Sequence, residues 1–331
     1  MTVNNKTGYL LTVLLLLTLL FLSVLWGRYP KPGFSSLHVL LNDRLAETLL
    51  WNVRIPRIIT ALLLGASLAA SGTVLQTVLG NPLVEPGLLG VTQGAAFGAG
   101  LAILLSGKNY WNIYFSAIFF GLLGITFTWI LAKRIKYGGG ILRLILSGII
   151  ISALFSSGLG ILKYVADPRS VLPEITFWLM GSLSSAGWDT LKVTFPLVTL
   201  PLLILFSVRW KINLLSLDDR TVFALGSNPS RQRMFLIFLS VIAVASITAV
   251  VGIISWVGLL IPQISRKITG ADTAKSLPFS ALTGAVFVLF CDNISRGAFS
   301  GEIPLGLITS LTGAVFFAVL MSSGVKDHLK W

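Results

Sequence analysis

The chain has 331 residues, 55% of them hydrophobic and only 11% charged, with a formal net charge of +13 and a mean hydropathy of +0.88. A soluble domain carries about 25% charged residues, so this is the composition of a polytopic membrane protein; no polar stretch exceeds a loop, and neither G-x-x-x-x-G-K-[ST] nor a strand followed by G-x-G-x-x-G occurs. Any ATP must therefore be used by a partner, and the positive charge reads as cytoplasmic loops that set topology rather than as a nucleic-acid surface.

A spanning helix needs about 20 apolar residues. The first run, 9–26, exceeds a signal-peptide core and is followed by GRYPKPG instead of a small-x-small site, so it is read as an uncleaved first span. The second, 57–79, is opened by Arg54-Ile-Pro-Arg57 and is rich in small residues (Gly65, Ala66, Ala69, Ala70, Ser71, Gly72) that allow close helix packing. It ends in a turn with two prolines, Asn81 and Glu85, and leads straight into 88–105. A helix needs none of these decorations merely to span; they suggest a transporter whose helix ends carry jobs. Glu85 is expected to cap the start of the third helix, where the dipole favours an anion.

Further spans are 112–132, 141–162, 191–208, 277–295 and 304–323. The apolar run 234–261 decides the count. If it crosses once, Arg266, Lys267, Lys275, Lys326 and Lys330 face outside; if it and its extension to about 269 cross twice, all five face inside, which the positive-inside rule favours. At 1.5 Å per residue the run covers only about 42 Å. One of its two helices must then be short or broken, with Gly252, Gly258 and Pro262 at the breaks. The expectation is one all-α domain over 1–331, with ten helices, a short eighth, and both termini cytoplasmic. Lys133, Arg134, Lys136, Arg143, Arg209, Lys211, Arg220, Arg231 and Arg233 would then lie inside, and Arg28, Lys31, Arg44, Arg54, Arg57, Lys108, Lys163, Arg169 and Lys192 outside.

Two connections are long. In 163–190, outside, a short apolar stretch between Pro173 and Gly181 predicts a helix at the membrane surface. In 209–233, inside, Asp218 and Asp219 are N-cap candidates. There Leu217, Val222, Phe223 and Leu225 supply an apolar side, Gly226 ends the helix, and Asn228-Pro229 makes a turn. That helix either rests on the membrane or is the surface on which an ATPase pushes; the pattern alone favours neither. Cys291 stands alone, so no intrachain disulfide is possible. His38 and His328 have no metal-ligand spacing, and no cofactor or metal site is expected.

These residues together resemble the FecCD family of permease subunits from bacterial and archaeal ABC importers for iron–siderophore, haem and cobalamin. The likeness is carried by Arg54-Ile-Pro-Arg57, Gly65-Ala66, Ser71-Gly72, Gln76, Asn81-Pro-Leu-Val-Glu-Pro-Gly-Leu-Leu-Gly90, Leu146-Ser-Gly148, the stretch from Trp178 to Ser182, and Ala224-Leu-Gly226. In the C-terminal half it continues through Gly258-Leu-Leu-Ile-Pro262, Leu277-Pro278, Asp292, Arg296, Glu302-Ile-Pro304, Gly306 and Thr309. The resemblance implies the type II ABC importer permease fold. It also implies partners: a second permease subunit, identical or paralogous, two ABC ATPase subunits, and an extracellular or periplasmic binding protein. Where the family usually has His after the eighth helix's proline this chain has Gln263, and Asp272-Thr-Ala274 replaces an Asp-His-Arg.

By the same resemblance Arg54, Arg57 and Arg296 form the pocket for the binding protein's acidic residues. Arginine can grip a carboxylate bidentately; the plain alternative is snorkelling to lipid phosphate. Asn81, Pro82 and Leu83 map onto the cytoplasmic gate, and Gly138, Gly139 and Gly140 onto its second loop, or onto a merely flexible one. The ATPase-coupling segment maps onto Asp218, Asp219, Arg220, Phe223, Leu225 and Gly226. The pathway runs down a dimer axis where Ser147, Ser152, Ser156 and Ser157 of the fifth helix could line it. The cargo implied is an iron–siderophore, haem or similar metal chelate, with cobalamin or an oxyanion as the alternative. A stand-alone secondary transporter would want an acid relay at mid-membrane, and Asp292 is the only clear acid within a predicted helix.

Overall fold

The computed structural model describes residues 5–27, 29, 33–36, 42–107, 109–297 and 301–322. The readings of His38, His328, Arg28, Lys31, Lys108, Lys326, Lys330 and the C-terminal tail lie outside the described residues. The principal helices are α1 (Asn5–Leu25), α2 (Arg44–Val78), α3 (Val91–Ser106), α4 (Tyr110–Arg134), α5 (Gly140–Val165) and α6 (Val171–Met180). They continue as α7 (Trp188–Ser207), α8 (Asp219–Ala224), α9 (Pro229–Val251), α10 (Val257–Thr269), α11 (Thr273–Gly297) and α12 (Leu305–Ser322). Two-residue strands β1 (Trp26–Gly27) and β2 (Gly33–Phe34) pair antiparallel.

Eight helices among the described residues are long and apolar enough to cross a membrane. With 16 and 13 residues, α3 and α10 reach only about 24 and 20 Å. They stand at the third and eighth places of the expected order, the eighth being short as expected. The helix predicted from 57 begins earlier: α2 is continuous from Arg44, capped by Asp43, whose carboxylate accepts from the N–H groups of Leu45 and Ala46. Pro56 has no N–H to give its preceding turn, and Leu50–Arg54 winds there as a π-turn.

Burial sorts the helices. In α2 and α9 78% of the apolar window is buried, against 22% in α5 and 28% in α12. The core is thus α2, α9 and α11, with α5 and α12 presenting apolar faces to lipid or to a partner. The small residues of α2 explain the close packing. A Cβ on Gly65 would strike the Gly284 carbonyl of α11, and one on Gly72 the Gly258 carbonyl of α10.

Of the three expected break points only Gly252 lies in the break, which runs from Gly252 to Trp256. Gly258 sits in the first turn of α10, and Pro262 stays inside that helix without breaking it. The reason is chemical. Proline at 262 leaves the Gly258 carbonyl without its helical donor, and in hydrocarbon each unsatisfied backbone group is costly. The fully buried Gln76 of α2 supplies the missing donor: its Nε2 lies 3.2 Å from the carbonyls of both Gly258 and Leu259, and its Oε1 accepts from Arg266. The last carbonyls of α9, just before the break, are satisfied likewise, Ser182 N donating to Val251 O at 2.7 Å and Ser185 Oγ to Val250 O at 2.8 Å.

The connections segregate to two ends. At one, Tyr9 Oη donates to Lys275 O at 2.7 Å, and Asn213 Nδ2 to Asp272 Oδ1 at 2.8 Å. At the other, Trp188 Nε1 donates to Trp51 O at 2.8 Å and Arg54 reaches Val24 O. The apolar stretch between Pro173 and Gly181 forms α6 at this second end, with Pro173 inside its first turn and Gly181 closing it at φ 71°. Replacing Gln76 by Leu, similar in size but without donors, is expected to lower stability by about 1–3 kcal/mol, the cost of an orphaned buried acceptor. Thermal unfolding of the purified permease in detergent reads this out; an unchanged melting temperature would contradict it.

Candidate functional site

Three arginines meet at the end that holds α6. Arg54 sits in the π-turn of α2, Arg57 one turn on, and Arg296 in the last turn of α11. Arg57 places Nε and Nη2 at 2.9 and 2.8 Å from Asp292 Oδ1, and Nη1 at 3.0 and 3.1 Å from the two Glu302 oxygens. Arg296 approaches Asp292 Oδ2 at 3.0 Å through Nε, while its Nη2 donates to Ser23 Oγ and Asn293 Oδ1, both at 2.6 Å. Arg54 donates to Val24 O at 2.7 Å and Tyr29 O at 3.3 Å. All three are buried, at 5–7% exposure, and Asp292 is at 0%.

The structure therefore gathers the expected docking residues but turns them inward. Buried guanidinium groups persist only when paired and hydrogen-bonded, and two carboxylates with a ring of carbonyls meet that need here. Glu302, its side chain 35% exposed, is the member that faces solvent. Asp292 is the functional residue that sequence reading undervalued. Its i,i+4 spacing to Arg296 was a visible signal; its pairing with Arg57, 235 positions away, was not.

Between the ends lies the hinge of the short helix. Glu85 occupies the N-cap position of the 3₁₀ turn Pro86–Leu89 but makes no capping bond to it, contrary to the expected cap of the third helix. Its carboxylate instead feels the backbone N–H of Trp256, at the N-terminal end of α10, where the helix dipole also favours an anion. Trp256 is the one non-glycine with positive φ among the described residues, at 73°. Such a conformation costs about 1–3 kcal/mol. Glu85, Gln93, Thr248, Ser255 and Ser152 line a cavity of about 340 Å³ here. Of the other pathway serines, Ser156 and Ser157 are exposed on α5, while Ser147 is fully buried in the chain's own packing and does not share their face.

The opposite end holds both segments expected to form the gate. Gly80 turns at φ 53°, Asn81 Oδ1 accepts from Leu83 N at 2.9 Å, and Leu83 is left exposed. Pro82 O accepts from Gln263 Nε2 at 3.1 Å, so the residue that departs from the family pattern ties the short helix to this turn. Gly138 adopts φ 79°, and Gly139 and Gly140 share with Thr77–Gly80 the lining of one cavity.

Beside that cavity α8 is capped by Asp218, which accepts from Thr221 N at 3.1 Å; this bond and one from the Thr221 hydroxyl hold its carboxyl below the usual range. Asp219 is not a cap but pairs with Arg233 at 2.5 Å. The expected single apolar side is split: Val222 is fully buried, while Phe223 and Leu225 stand out at 71% and 59% exposure, and Gly226 closes the helix at φ 78°. Asn228, read as a turn, is the N-cap of α9, with Pro229 in its first turn. Asn213, with no predicted role, braces this loop: besides its bond to Asp272, its Oδ1 accepts from Thr273 N at 2.8 Å. Asp272 is in turn held below the ordinary carboxylate range, first by the Asn213 amide.

Known proteins share this architecture. The Haemophilus influenzae molybdate import system permease protein MolB is 40% identical over 94% of each chain. A probable iron chelatin transport system permease protein of Helicobacter pylori is 38% identical over 86% of each. A solved structure described as an inward-facing conformation of a metal-chelate type ABC transporter superposes with a TM-score of 0.88 at 40% identity, covering 97% of this chain and 100% of that one. The family model of the FecCD transport family matches residues 14–323, and the chain belongs to that family of ABC importer permeases.

Proposed function

We propose that this chain is the membrane subunit of an importer that passes a metal chelate inward by ATP-driven alternating access. It would work beside a second permease subunit, with two ATPase subunits inside and a binding protein outside. The observation that carries the reading is α8. Phe223 and Leu225 expose apolar surface from a rigidly capped helix at the end where Lys133, Arg134, Arg143, Arg209, Arg231 and Arg233 cluster. Interfaces concentrate their energy in a few such buried anchors, and this family requires an ATPase that the chain lacks. The exposed faces of α5, with Ser156 and Ser157, and of α12, with Leu311 and Phe316, would meet the second subunit around the pathway.

A serine-lined, weakly charged face suits a bulky chelate. A molybdate-like oxyanion is the second reading, favoured by the 40% identity to MolB. Titration of the cognate binding protein with ferric chelates, haem, cobalamin and molybdate separates the two; nanomolar binding of molybdate alone would displace the chelate reading.

At the outer end Glu302 would act as a stand-in. It holds Arg57 bidentately at the rim, and an incoming carboxylate of the binding protein would take its place, giving Arg57 a docking role while Arg54 and Arg296 shape the seat. Glu302→Gln should then speed association of the binding protein, while Arg57→Gln slows it and weakens its salt dependence. Identical association rates for wild type and both variants, measured across a range of salt, would remove Arg57 from docking.

Sidedness has its own check. In a Cys291→Ser background, a cysteine at 275 should be labelled from the cytoplasm and one at 169 from outside; external labelling at 275 would reverse the topology.

For coupling, Phe223→Asp should leave the permease folded yet detach the ATPase or abolish ATP-driven uptake, with Lys211→Gln as the control. Normal copurification and uptake by Phe223→Asp would reduce α8 to a membrane-surface element.

A further inference from the structure

The cavity shared by the gate glycines and α8 measures about 860 Å³. Its apolar floor is supplied by Leu142, Leu217 and Met234, and its cationic wall by Lys133, Arg143, Arg233 and Arg266. Two acids also line it, and both are engaged: Asp218 caps α8, and Asp219 pairs with Arg233. Lys133 and Arg143 have no ion-pair partner among the described residues. The Lys133 ammonium lies 3.3 Å above the Trp129 ring, and Arg143 donates through Nη1 to Ile135 O at 3.3 Å while its buried Nε has no hydrogen-bond partner.

An excess of positive charge over an apolar floor is amphiphilic, and it sits where α4 ends and α5 begins. A tryptophan stacked under a lysine at a helix end is a mark of the membrane–water interface. Basic pockets between helices on the cytoplasmic side attract anionic headgroups. A free oxyanion would use the cationic wall but leave the floor to water; a phospholipid satisfies both, its phosphate on Lys133 and Arg143 and its glycerol and first methylenes on Leu142, Leu217 and Met234.

We propose that this cavity binds an anionic phospholipid of the inner leaflet. The headgroup bridges the α4–α5 loop to α9 and the cap of α8, so the lipid braces the coupling helix against the gate loop. The assignment of the leaflet rests on the inward placement of this end; the binding itself does not.

The test is native mass spectrometry of the intact purified transporter in micelles doped with phosphatidylglycerol or phosphatidylcholine. Wild type should retain phosphatidylglycerol preferentially. Lys133→Gln with Arg143→Gln should weaken its retention by about 20-fold, roughly five-fold per charge removed. The charge-matched control, Arg134→Gln with Lys136→Gln, alters two residues outside the cavity lining and should change retention by less than about two-fold, as befits long-range charge alone. Melting in phosphatidylcholine micelles verifies that both double variants are folded. Equal retention of the two lipids by wild type would overturn the proposal, as would equal losses in test and control. Stabilisation of wild type by inorganic phosphate with no preference between the lipids would overturn it too, leaving a soluble-anion site. Micelle binding is indifferent to orientation, so a reversed topology would appear in the labelling at 275 and leave this result standing.

Discussion

The end of this permease that holds α6 depends on one buried carboxylate. Asp292, fully enclosed, stands between Arg57 of α2 and Arg296 of its own helix, and through them it touches α1 and the segment that carries Glu302. An ionised group in such a place is tolerable only because its partners are held at hydrogen-bond distance; removing any one of them strands the others. The cluster therefore fixes where α1, α2, α11 and the start of α12 lie relative to one another. A binding protein would meet that surface as a single body.

A second constraint is the demand that every main-chain polar group in the membrane find a partner. It explains why a helix as short as α10 can exist. Its proline is served by Gln76, and the end of α9 just before the break by Ser182 and Ser185. Gln76 links α10 to α2, and Gln263 links it to the turn at Pro82. Movement of α10 would thus be felt at both ends, which is what alternating access requires of a broken helix.

An all-helical membrane bundle with a short eighth helix followed from hydrophobic length and loop charge, local properties that the sequence displays directly. The capped helix α8 was legible for the same reason: Asp218, Phe223 and Gly226 lie close together along the chain. What stayed hidden required contacts across the fold. The arginines read as an outward pocket because their carboxylates lie far along the chain. Glu85 read as a cap of the helix that follows it, whereas it makes no capping bond there. Ser147 looked like its neighbours on α5, yet packing buries it. Gln76 entered only as part of the family pattern and Asn213 carried no local signal, since the role of each is defined by a main-chain group or side chain some sixty or more positions away.

The central claim is that Arg57 and Asp292 act as one buried unit that holds this end of the bundle together. A double-mutant cycle in thermal or denaturant stability measures this most directly, using Arg57→Met, Asp292→Leu and the two combined. Each single change should cost about 3–5 kcal/mol by leaving a stranded charge. The double variant should be clearly less destabilised than the sum, with a coupling of at least about 1 kcal/mol. Strict additivity of the two changes would show that the pair contributes nothing beyond its separate parts and would contradict the account.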